Sequence, residues 1–170
     1  AERQSDPIVI HHPRAKSEPP ARLALLRAEG WTLPADAGCR EGLALAVADR
    51  ALELLDKALR IDPDYPLALA LTAWCWAQRS VYNWAEDTAA AKAEALKLAD
   101  RAASQSSDDP LILAVPGAVH TFARNYGVAR VMLERAVALD PNAAWALSRL
   151  GWLDVYADRP DDARVHFEKA

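Results

Sequence analysis

Few side chains in this sequence offer chemistry beyond packing: His11-His12, His120, Cys39 and Cys75. Adjacent histidines suggest a metal, but a zinc-type site needs three or four ligands and no third ligand stands near His11 and His12. That pair is read as linker. Cys39 and Cys75 lack the spacing of a metal knuckle. Cys75 sits between Trp74 and Trp76 in a helical stretch, where a thiol behaves as a small buried hydrophobe. No histidine lies within sequence reach of it to activate a nucleophile. His120 falls one turn from Gly117 near the middle of a helix, a place for a structural histidine rather than a catalytic one. The chain has no Gly-rich phosphate loop, no HExxH and no GxSxG. The expectation is a protein without catalysis, metal or cofactor.

The elements that carry these residues are helical. The 170 residues are 52% hydrophobic, enough for a core, and only 6 are glycine. Alternating Val, Ile and Thr are nearly absent, so the class is all-α. The net charge is −4 with scattered Lys and Arg; with no basic stripe, nucleic acid is not an expected partner. No apolar run approaches the length of a membrane span. Residues 1–19, with Pro7, Pro13 and Pro19, are expected to be an irregular linker, and 20–170 a repeat domain.

A period organises that domain. Ala102, Ala136 and Ala170 are spaced by 34 (136 − 102 and 170 − 136). Small residues pair at a fixed offset: Gly117 with Ala129, and Gly151 with Ala163, are both 12 apart. Ala73 and Ala95 are 22 apart, which places ten extra residues inside that hairpin. Asp62-Pro63 and Asp140-Pro141 end helices at matching places, because proline cannot continue the hydrogen-bond ladder. This pattern resembles the tetratricopeptide repeat (TPR), a helix–turn–helix unit of about 34 residues. The resemblance covers about Pro20 to Ala170. It implies a right-handed α-α superhelix of about four TPR-like hairpins, each a helix A crossing a helix B at small residues. Backbones then approach to about 8 Å, and Leu55, Leu133 and Phe167 fill the seam, with Ala99 in the same slot of the second repeat.

The expected elements, in order, are A1 over Pro20–Gly30, B1 to Ile61, A2 over Tyr65–Arg79, and B2 from Trp84 to Ser104 behind a capping box of Asn83 and Glu86. A3 follows over Pro110–Arg124, with Asp109 as N-cap and Pro116 as a weak point. B3 covers Val128–Leu139, A4 covers Ala143–Ala157, and B4 starts at Pro160 or Asp161. B1 should turn Ala44, Val47, Ala48, Ala51, Leu54, Leu55 and Ala58 inward. The last repeat reads as incomplete, a piece of a larger protein, leaving Val165 and Phe167 uncovered and ready for self-association.

In the TPR family the A helices line a concave groove. The resemblance places Trp74 and Gln78, Phe122, and Trp145, Ser148, Trp152 and Tyr156 on it, as a partner-binding site for a protein or peptide. Two readings of Trp74 and Trp152 stay open here: groove anchors, or packing between repeats. Members that clamp a C-terminal carboxylate use Lys, Asn and Arg in slots that here hold Ala70, Trp74, Ala114, Ala118, Ser148 and Trp152, so that clamp is not expected. Leu69-Ala-Leu-Thr-Ala73-Trp74, Val81-Tyr82-x-Trp84 and Ala95-x-x-Leu98-Ala99-x-x-Ala102 look like TPR regions of bacterial class III nucleotide cyclases and winged-helix regulators. That resemblance implies a regulatory or oligomerising segment of a cytoplasmic signalling protein, or of a periplasmic one if the parent spans a membrane. The alternative is a small-molecule sensor built around Trp74, Phe122 and Trp152.

Overall fold

The computed structural model describes residues 40–105 and 108–170. The expected linker, helix A1, His11-His12 and Cys39 lie outside them. Among the described residues every regular element is an α-helix: α1 (Arg40–Ile61), α2 (Pro66–Val81), α3 (Thr88–Gln105), α4 (Pro110–Phe122), α5 (Tyr126–Leu139), α6 (Ala144–Tyr156) and α7 (Pro160–Lys169). None is long and apolar enough to cross a membrane. The chain divides into two compact units, 1–47 and 48–170; the second holds the hairpins.

The hairpins are α2–α3, α4–α5 and α6–α7, an all-α, TPR-like stack. Each A helix of these hairpins packs on the next A helix, α2 on α4 and α4 on α6, and the B helices α3 and α5 pack on the following A helices α4 and α6. No B helix touches the next B helix among the described residues. A layer that is continuous on one side and open on the other curves toward the continuous side. The A helices therefore line the inner face of residues 48–170.

Small residues set the crossings. A Cβ on Gly117 would lie 2.8 Å from Leu133 Cγ, and one on Gly151 would lie 2.6 Å from the Phe167 ring. The glycines are thus the seats of the seam-filling side chains named from the sequence. Ala73, Ala95, Ala99 and Ala102 are buried together in one core cluster, and Ala129, Leu133 and Ala136 in another. The first hairpin accommodates its ten additional residues in three places. Ala73 lies eight residues before the end of α2, where Gly117 lies five before the end of α4. The turn has six residues against three, and Ala95 lies seven into α3 where Ala129 lies three into α5.

Helix ends follow local chemistry. Asp109 Oδ1 accepts from the N–H groups of Leu111 and Ile112, with Pro110 opening α4. Asp62 and Asp140 each accept from the N–H two residues on, past their prolines. α4 runs on through Pro116. Two expectations need correction. Asn83 is not an N-cap: its φ is 55°, a left-handed residue that closes α2, and Asp87 accepts from the Ala90 N–H at the start of α3. The expected inward face of α1 is also not a face, since Leu54 is 52% and Val47 45% exposed while Leu55 and Ala58 are half-buried.

Candidate functional site

The A helices bring three of the seven named residues into one aromatic stack. Trp74 from α2 lies on Phe122 from α4, ring centres 5.2 Å apart and nearly parallel, and meets Trp145 from α6 edge-on at 5.7 Å. Trp74 thus reaches across α4 to α6, which only a narrow inner face allows. All three rings are half-buried. Gln78, one turn beyond Trp74, and Ser148, one turn beyond Trp145, are half-buried on the same helices.

Trp152 and Tyr156 belong to a second group. Their rings are 6.2 Å apart, and Trp152 meets Phe167 of α7 edge-on at 5.7 Å. Trp152 is 45%, Tyr156 48% and Phe167 40% exposed. Trp152 shares its repeat position with Trp74 but finds its ring partners within its own hairpin. Arg149, rather than Trp152, stands with the first stack.

Arg149 is a residue the sequence reading missed. Its guanidinium lies 5.0 Å from the Trp145 ring centre and 5.6 Å from that of Trp74. Such cation–π contacts contribute about 0.5–2 kcal/mol, more as water is excluded. Burial pushes the Arg149 guanidinium below its ordinary value, opposed by the hydroxyls of Tyr82 and Tyr156. Its place is visible only once Trp74, two hairpins earlier, is seen to arrive beside it. Next to Trp145 is an open cavity of ≈ 270 Å³, lined also by Leu111, Ala114 and Ala146, with Asp109 and Asp140 at its edge.

The candidates for chemistry are otherwise engaged. His120 is buried between Asp100 Oδ1, 3.0 Å from its Nε2, and the Asn125 amide, 3.3 Å from its Nδ1. The amide donates to Nδ1, which leaves Nε2 as the donor to Asp100. Asp154, wholly buried, accepts from Arg130 at 2.5 Å and lies 2.7 Å from His166 Nδ1. Burial works against the Arg130 charge, but Asp154 and then Glu134 outweigh it and hold that guanidinium above its ordinary value. Burial pushes the Cys75 thiol up, with Arg79 opposing weakly, so little reactive thiolate forms near neutral pH. The Tyr82–Trp84 pair, rings 5.0 Å apart, occupies the long turn of the first hairpin.

No protein-family model matches the chain, and no curated protein does. Among solved structures, a chain titled "MamA MSR-1 C2" is similar over 75% of this chain and 71% of its own, at 18% identity and a TM-score of 0.49. The fold assignment above stands on the helices and contacts of this chain.

Proposed function

We propose that this chain is a non-catalytic protein–protein interaction scaffold whose inner A-helix face holds an extended segment of a partner. The observation that carries this reading is the pairing of a half-buried aromatic stack with an open apolar cavity bordered by Trp145. Large rings bury much area at small entropic cost, and such anchors dominate interface energies. The cavity suits one side chain of a longer segment better than a whole enclosed metabolite, because ligand sites bury most of their ligand. By its resemblance, the scaffold is a regulatory segment of a larger signalling protein.

Peptides selected from a random displayed library on the wild-type chain test this. Trp145→Ala, checked for folding by circular dichroism, is expected to weaken the selected peptides about tenfold or more, as loss of an anchor does. Equal binding by the two proteins would remove the inner face as the site.

Self-association is a second part of the reading. Val165, Phe167, Trp152 and Tyr156 are all exposed on the α6–α7 hairpin, and clustered exposed apolar side chains mark interaction surfaces. Sedimentation velocity is expected to show concentration-dependent association that Val165→Lys with Tyr156→Lys abolishes. A monomer at every concentration would exclude it.

A further inference from the structure

Most arginines among the described residues have a carboxylate partner; Arg149 has none, although unlike the exposed and equally unpaired Arg124 it is half-buried. Arg79 meets Asp49, Arg101 meets Asp64 at 2.6 Å, Arg130 meets Asp154 and Arg159 meets Asp162. Among the described residues no carboxylate pairs with Arg149, and its Nε is buried without a hydrogen-bond partner. The guanidinium carbon lies over the rings of Trp145 and Trp74. The rings offer the guanidinium N–H groups no carboxylate oxygen, the acceptor that their fork is shaped for. The result is half of an ion pair, fixed in orientation before the other half arrives.

We propose that Arg149 receives an acidic side chain of the bound segment, and that the cavity beside Trp145 receives an apolar side chain of the same segment. The proposal rests on the inner-face reading above. Trp145 and Arg149 are four residues apart on α6, about 6 Å along its axis. In an extended segment, residues i and i+2 point the same way and lie about 6.5 Å apart. One apolar and one acidic residue close together on one side of such a segment therefore suit the two neighbouring positions. Asp109 and Asp140 fix their order. Both residues line the cavity, and their carboxylates accept backbone N–H groups there, two at Asp109 and one at Asp140. They repel an acidic residue from that end and leave Arg149 as its place.

The test uses the selected peptides, resynthesised with both ends blocked and with the acidic residue as Glu or as Gln. Binding is measured by fluorescence anisotropy on wild type, Arg149→Gln and Trp145→Ala. The expected result is a loss of about tenfold or more when either Glu or Arg149 is replaced, with no further loss when both are, the signature of a direct pair. In wild type, added salt should weaken the Glu peptide more than the Gln peptide, a reading that needs no variant to fold. Selected peptides without an acidic residue, or losses that simply add, overturn the proposal; if Trp145→Ala still weakens binding, the inner-face reading survives. Binding that requires a free C-terminal carboxylate overturns the side-chain assignment. Binding indifferent to Trp145→Ala overturns both.

Discussion

Asp154 has no exposed surface, and an ionised carboxylate there costs several kcal/mol of lost hydration. Arg130 from α5 and His166 from α7 offset that cost, so one side chain on α6 ties three helices together. His120 holds the same place one period earlier, since 154 − 120 = 34, and it too reaches back to the preceding B helix, through Asp100. Asp154→Ala removes the buried partner of Arg130 and His166 and leaves half-buried Arg130 with the exposed Glu134 alone. The expected loss is about 3 kcal/mol, at the lower end for a broken buried pair, seen as a lower urea midpoint with an unchanged slope. A loss below about 0.5 kcal/mol would place the pair among surface ion pairs that contribute little. Nothing in the local sequence around Asp154 advertises this role. The available signal was its 34-residue distance from His120, a register of polar residues that an Ala-based repeat count passes over.

The hairpin is where the sequence was most legible. Gly117–Ala129 and Gly151–Ala163 mark the crossings because a close approach excludes every larger side chain, and Leu133 and Phe167 sit where their four-residue offset put them. The turn of the first hairpin was less legible, because Asn followed by Glu three residues on also reads as a capping box. The backbone decides otherwise. Asn83, Arg124 and Asp158 all have positive φ, and the N–H after each bonds back to the carbonyl five residues earlier, of Arg79, His120 and Asp154. Each A helix thus ends in a Schellman turn. Asn tolerates that conformation; Arg124 pays about 1–2 kcal/mol for it. Arg124→Gly should remove that strain and raise the melting temperature, even after the larger unfolded-state entropy of glycine, about 0.5–1 kcal/mol. Gly117→Ala should lower it by driving a Cβ into fully buried Leu133, an overpacking cost of about 1–3 kcal/mol. Shifts of the same sign in one melting series would contradict this account of the hairpin.

At the scale of the molecule, A helices in continuous contact and B helices kept apart produce an inner face on which α2, α4 and α6 converge. The sequence placed Trp74, Phe122 and Trp145 on that face by repeat register. It did not distinguish them from Trp152, because register alone does not say how many helices a ring can cross. Trp74 crosses α4 to reach Trp145, whereas Trp152 stays with Phe167. The account's central claim is that a partner segment binds where those helices converge. Nuclear magnetic resonance on the isotope-labelled chain, titrated with a selected peptide, tests it most directly. The account predicts shifts of the Trp74 and Trp145 indole N–H signals and of the Ser148 amide, with Lys97 on α3 and Arg135 on α5 unmoved. Shifts confined to α3, α5 or the Tyr82–Trp84 turn, with the two indoles unchanged, would contradict it.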